Sequence, residues 1–133
     1  MLYLLDTDTC SYAIRGACDA LDARLAREKP GTLAISAVTR AELLFGVEKR
    51  GNPRTLSRVV HGFLDRIAVV PWDAAAADHF ARLRAVLERG GTPIGMMDTM
   101  IAGHALALKA TLVTNNQKHF QKVTALRLEN WTE

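Results

Sequence analysis

Four short apolar runs constrain the fold most: LYLL (2–5), TLAI (32–35), IAVVPW (67–72) and TLVT (111–114), each separated from the next by longer segments of helical period. Strands joined through helices pair in parallel, because a parallel connection needs a dozen residues or more where a hairpin needs two. ACDALDARLAREK (17–29) repeats Leu21 and Leu25 four residues apart before Pro30 and Gly31 break the pattern. SAVTRAELLFGVEKR (36–50) opens on Ser36, a capping residue type, and GNP (51–53) turns the chain. Pro53 suits the first position of a helix over about 54–66. DAAAADHFARLRAVLER (73–89) stops at Gly90 and Gly91, and IGMMDTMIAGHALALKA (94–110) carries Met97, Ile101, Ala105 and Leu108 on one helical face. NNQKHF (115–120) reads as a turn or short helix and LRLEN (126–130) as a last edge strand. The pattern predicts a three-layer α/β/α domain with a mainly parallel central sheet, one domain over residues 1–133.

Composition narrows the class. Hydrophobic residues make up 49% and charged residues 23% of the chain, the balance of a globular protein. No apolar run reaches the roughly 18 residues of a membrane span. The N-terminus shows no basic leader and meets Asp6 at once, so no signal peptide is expected. Cys10 and Cys18 form no CxxC or Cys/His zinc spacing, and two idle thiols fit a reducing cytoplasm. Net charge is +3. With Asp6, Asp8, Glu42 and Asp98 set aside as site residues, seventeen basic residues face ten acidic ones, a balance of +7. A basic body around an acidic pocket suits a protein that draws in a polyanion.

In parallel sheets, ligands bind outside the carboxyl ends of the strands. Asp6 follows the first strand, Ser36 the second, and Thr114, Asn115 and Asn116 the fourth. Glu42 lies about two turns into the helix after the second strand, and Asp98 sits at a helix start, where the macrodipole favours an anion. Three carboxylates distant in sequence can therefore meet at one rim. Like charges held close are costly unless a cation neutralises them, and hard oxygen donors select magnesium or manganese. The chemistry implied is metal-assisted hydrolysis of a phosphodiester.

Asp-x-Asp-x-Thr after a strand also opens the haloacid-dehalogenase-like phosphatases. That alternative needs a lysine and an acidic strand end after the Thr-ended strand. Here the acid-bearing GMMDTM precedes TLVTNN, and only Glu129 and Glu133 supply acids after it. A plain helix cap at Asp6 is the blandest alternative.

MLYLLDTDTCSY, ISAVTRAELLFGVEK, GTPIGMMDTMIAGHALALKATLVTNNQKHFQKV and LRLENWTE together resemble a PIN-domain ribonuclease of the VapC toxin type, from the first residue to the last. The resemblance implies a toxin of a type II toxin–antitoxin pair. Such a toxin cuts RNA, transfer RNA at the level of the family, with Mg2+ or Mn2+; it is restrained by a VapB-type antitoxin and pairs as a homodimer. It aligns Asp6, Glu42 and Asp98 with the family's three acidic positions, Asp6 and Asp98 as direct cation ligands. Thr7 and Thr114 match small polar residues that line the pocket, and Asn116 lies in the loop that holds a fourth polar group. Two positions depart: Asp8 stands where the family usually has Asn, and His119 where close relatives often carry an acid. A catalytically weak RNA-binding module neutralised by a partner is the alternative of another class.

Overall fold

The computed structural model describes residues 1–133. Strand β1 (Tyr3–Leu5) leads into helices α1 (Thr7–Arg15) and α2 (Asp19–Arg27), and a short 3-10 turn at Pro30–Thr32 precedes β2 (Leu33–Ser36). Helices α3 (Ala37–Glu48) and α4 (Arg54–Leu64) follow, then β3 (Ala68–Val70), α5 (Ala74–Arg89) and α6 (Met96–Leu108). The chain ends with β4 (Thr111–Val113), α7 (Gln117–Phe120) and β5 (Leu128–Glu129). All five strands run parallel in the order β3-β2-β1-β4-β5.

The strands are only two to four residues long, yet their alternation builds both halves of the core. Leu4, Ala34 and Leu112 pack with Leu83, Ile101 and Phe120 beneath α5, α6 and α7. Their neighbours Leu5, Ile35 and Val113 turn the other way, onto Cys10, Leu21, Leu43 and Val60 of α1 to α4. Successive strand residues point to opposite faces, so a sheet covered on both sides reads as continuous apolar runs. The result is the expected three-layer α/β/α fold.

Local signals set most boundaries. Asp6, Ser36 and Asp73 cap α1, α3 and α5, accepting from the N–H of Thr9, Val38 and Ala76. Two details correct the sequence reading. Residues 7–15 form a helix of their own ahead of α2, where sequence spacing assigned the first helix to 17–29. Pro53 occupies the cap of α4 instead of its first helical position. Cys10 is buried and Cys18 half-buried, both as free thiols. No helix is long and apolar enough to cross a membrane.

Helix α6 is buried without a break from Ile101 to Ala105. His104 within it places Nδ1 2.8 Å from Ser36 Oγ, while Nε2 has no partner. Burial pushes its pKa down, against the opposing charge of Asp73. One turn of α6 touches the backbone of α5: a Cβ at Gly103 would lie 2.9 Å from both the Cα and the N of Phe80. Neither atom can move without shifting a helix. Gly103→Ala is therefore expected to cost about 1–3 kcal/mol, the range for overpacking a filled core. Urea unfolding checks this: a lower midpoint at unchanged m-value is expected, and an unchanged midpoint contradicts it.

Candidate active site

The sheet reverses its order of addition between β1 and β4, since β2 and β3 are laid down on one side of β1 and β4 and β5 on the other. Loops diverge at such a switch point and leave a crevice at the carboxyl ends of the strands. Asp6 leaves β1 there and Thr114 leaves β4, tied by the Asp6 N–H donating to the Val113 carbonyl at 3.0 Å.

Asp6 is 3% exposed. Its Oδ1 accepts from the Thr9 N–H at 2.8 Å, and the Thr9 hydroxyl donates to the Val113 carbonyl at 3.2 Å. Burial raises the Asp6 pKa; the hydroxyl of Thr114 and the Thr9 groups pull it back, and the charge of Asp8 adds to the rise. Thr114 Oγ1 also accepts from the Asn116 N–H at 2.9 Å, which fixes the loop after β4.

Glu42 reaches in from α3. Thr7 Oγ1 donates to its Oε1 and lies 3.2 Å from Thr39 Oγ1, a fully buried hydroxyl. Burial raises the Glu42 pKa, the Thr7 hydrogen bond lowers it, and the charges of Asp98 and Asp8 raise it again. Asp98 stands in the first turn of α6 with Oδ2 3.0 Å from His119 Nε2. Burial is the main cause of its raised pKa, His119 opposes it by charge and hydrogen bond, and Asp8 adds to it. The same His119 nitrogen lies 2.8 Å from the Ile94 carbonyl, and the ring meets Phe120 edge-on.

The structure treats the predicted residues differently. Asp6, Glu42 and Asp98 share one electrostatic neighbourhood, and Thr7 and Thr114 hold two of them. His119 packs against Phe120 and also grips Asp98. Asp8 is exposed, yet its charge is felt by all three acids. Asn116 is the one that does not converge: its side chain is exposed and only its backbone N–H engages the pocket, through Thr114. Thr9 and Thr39 escape sequence reasoning. Thr9 has a signal in its place three residues after a capping Asp; Thr39 has none beyond lying three residues before Glu42.

No three carboxylate, imidazole or thiol side chains are gathered tightly enough to enclose an ion. The donor chemistry is nonetheless that of a hard cation. Magnesium is commonly held by one or two carboxylates, keeping waters and substrate phosphates in its remaining positions. An open set of acids with pKa values raised by burial and mutual charge fits that kind of site.

Residues 3–126 match the PIN domain family. The chain is 41% identical over 130 residues to the tRNA(fMet)-specific endonuclease VapC of Shigella flexneri, covering 98% of each. It is 40% identical over 132 residues to ribonuclease VapC2 of Rickettsia felis, again covering 98% of each. The structure of DNA-bound VapBC from Salmonella typhimurium superposes with a TM-score of 0.92 at 39% identity, over 98% of this chain and 99% of that one.

The raised pKa values have a consequence for stability. A carboxyl that binds its proton more tightly when folded contributes stability in acid and loses it as pH rises through the folded value. Without a bound cation, all three acids therefore weigh against the fold at neutral pH. Asp98→Asn keeps the shape and removes one charge, so it is expected to melt above the unchanged protein at pH 7 in EDTA. The Asp98 side chain is 39% exposed, which keeps the gain small. The difference should shrink as pH falls to about 4, where aspartate itself becomes neutral. Calorimetry across that range checks the sign; a lower melting temperature for the variant at pH 7 contradicts it.

Proposed function

The chain belongs to the PIN-domain family and, within it, to the VapC ribonucleases, and from that premise we propose that it is the toxin of a toxin–antitoxin pair: a metal-dependent endoribonuclease that cuts transfer RNA and so stops translation. The observation that carries this reading is one electrostatic neighbourhood: Asp6 at the switch point of a parallel sheet, with Glu42 and Asp98, all three held protonated more readily than free carboxyls by burial and by the charge of Asp8. Asp6 and Asp98 are the residues to hold Mg2+, or Mn2+ in its place. When bound there, such an ion would supply positive charge near the scissile phosphate and lower the pKa of a water.

The chain's own groups do the rest. Glu42, aimed by the Thr7 hydroxyl and with its proton affinity raised by burial, orients the attacking water and accepts its proton. His119 steadies Asp98 and adds no negative charge, which favours a single firmly held cation. Thr9 and Thr114 keep the Asp6 carboxylate fixed where water has little access. A transfer RNA substrate follows from the tRNA(fMet) specificity of the Shigella relative.

A VapB-type antitoxin is the proposed partner, since solved relatives at 31–39% identity are VapBC assemblies. It has a seat beside the site: a groove of about 490 Å³ between α1, α2 and α4, lined by Ala13, Ile14, Leu25, Val59 and Phe63. Ile14 also borders the hollow that contains Glu42, so a chain leaving the groove comes first to that carboxylate. A basic side chain delivered there, best an arginine, can bind it bidentately and compete with the cation. The resemblance also supports a homodimer, for which the exposed Val86, Met96 and Met97 on α5 and α6 offer apolar surface.

Asp98→Asn is expected to lower RNA cleavage by at least about a hundredfold, the scale of removing one electrostatic group that stabilises a transition state, and EDTA to do the same reversibly in the unchanged protein. Cleavage that survives EDTA overturns the metal dependence, and cleavage that survives Asp98→Asn overturns the assignment of that residue; tight RNA binding with no cleavage under any metal would support a binding module instead. Val59→Asp, on the exposed lip of the groove, is expected to weaken antitoxin affinity at least about tenfold. Calorimetric titration with the antitoxin checks this, and unchanged affinity removes the groove from the interface.

A further inference from the structure

The hollow that contains Glu42 continues away from the carboxylates and changes sign. It measures about 220 Å³, with Thr7, Ser11 and Arg15 on the α1 wall and Glu42, Gly46 and Arg50 on the α3 wall. Glu42, Gly46 and Arg50 follow at four-residue steps, so they line one side of α3 and the turn after it. At 1.5 Å per residue the backbone positions of Glu42 and Arg50 stand about 12 Å apart along the direction of α3.

Gly46 is unexplained by packing or backbone. Its φ is not positive, and a Cβ there would meet nothing within 4 Å. Glycine weakens a helix interior, so its presence has a cost that alanine would avoid. Its effect is on the hollow, which it leaves open between Glu42 and Arg50. Both arginines are free for a ligand. Arg15 is steadied by its Nε donating to the Ser11 carbonyl at 3.3 Å and by the Tyr12 ring 4.9 Å away, and neither Arg15 nor Arg50 has a carboxylate partner.

A second hollow of about 370 Å³ follows Arg50 in the chain, lined only by Asn52, Arg54, Ser57 and Arg58. The first turn of α4 contains no acid, and Arg54 and Arg58 stand four residues apart, a like-charge spacing that disfavours a helix. Arg24 and Arg84 use that same spacing to pair with Glu28 and Glu88. Arg15 and Arg50 in the first hollow and Arg54 and Arg58 in the second, joined in the chain by the turn at 51–53, make up a cationic strip in which no arginine has an ion-pair partner.

We propose that this strip is the track for the RNA backbone on one side of the scissile phosphate, a reading that rests on the nuclease function above. Arg15 and Arg50 clasp the first phosphate beyond the carboxylates, and Arg54 and Arg58 hold the next stretch at the start of α4. These are positioning residues: they contact phosphates, carry no sequence readout and take no part in bond cleavage.

The test measures binding and turnover separately. Binding of a labelled transfer RNA transcript and of a single-stranded RNA 20-mer is followed as salt is varied, in the Asp98→Asn protein so that no cutting intervenes. Arg50→Ala, Arg15→Ala and the double variant Arg54→Ala/Arg58→Ala are each expected to weaken binding about five- to twentyfold and to reduce the salt slope by about 0.7 for each phosphate that is no longer neutralised. Arg50→Lys should restore the slope, because charge and not fork geometry is what a phosphate track needs. With Asp98 intact, Arg50→Ala should raise KM at least fivefold with little change in kcat. Gly46→Gln should lower kcat/KM while the melting temperature holds or rises, because the site is open to a side chain.

Wild-type affinity and salt slope in all the arginine variants would overturn the track while leaving the nuclease reading intact. Loss of antitoxin affinity with RNA binding unchanged would also overturn it, assigning the strip to the antitoxin. Arginine-dependent RNA binding in a protein whose Asp98 form cuts no RNA would sustain the track and reject the nuclease.

Discussion

The structure depends on a negative charge held where water hardly reaches. Asp6 stands at the end of the central strand with its carboxylate buried, and burying an unpaired charge is among the costliest things a fold can do. What surrounds it is a set of partial remedies. A helix N-terminus supplies the Thr9 N–H, the residue that follows β4 supplies the Thr114 hydroxyl, and the parallel register of β1 with β4 fixes both in place. The remedies are incomplete, and the raised pKa is the measure of what is left. Glu42 and Asp98 add to the deficit, since their own burial and the charge of Asp8 push in the same direction.

Holding that deficit in place falls to the helices more than to the sheet. Strands of two to four residues give little ladder bonding, and the rigidity comes from the layers on either side. The close approach of α5 and α6 at Gly103 fixes the height of α6 and with it the position of Asp98. Below it, His104 joins α6 to Ser36 at the cap of α3, the helix that carries Glu42. Two of the three acids are therefore set by one buried contact between their helices.

Much of this is legible in the sequence, for identifiable reasons. Alternating apolar runs and helical segments specify a parallel α/β sheet because few other arrangements bury both faces of such strands. Asp6 is legible because a buried strand ending in an acid puts that acid at the rim, and Asp98 because it sits in the first turn of a strongly apolar helix. Helix α1 is not, because its nine residues hold mostly Thr, Asp, Cys and Ser, and its stability comes from the Asp6 cap and from Cys10 in the core rather than from a periodic stripe. Asn116 misleads for a different reason. Sequence proximity to Thr114 puts it at the pocket, but the loop is pinned through its backbone N–H, which leaves the amide side chain facing solvent. The cationic strip is hidden because EKRGNPR reads as an ordinary solvated turn; only the structure shows that Arg50 lines the same hollow as Glu42.

A single electrostatic deficit then accounts for every proposed occupant of the site. A cation relieves it directly. An antitoxin's basic side chain relieves it at the same carboxylates, so each must weaken the other by the same factor, as linkage requires of any two ligands. RNA cannot relieve it at all, because a polyanion adds to the negative charge. It needs the cation at one end and the arginines at the other. The sign change along α3, from Glu42 through the bare Gly46 to Arg50, is what lets one short groove accept a charged strand whose scissile phosphate lies against acids. An antitoxin seated in the neighbouring apolar groove, with a basic side chain on Glu42, therefore opposes RNA without touching the arginines: it displaces the ion that draws the phosphate in.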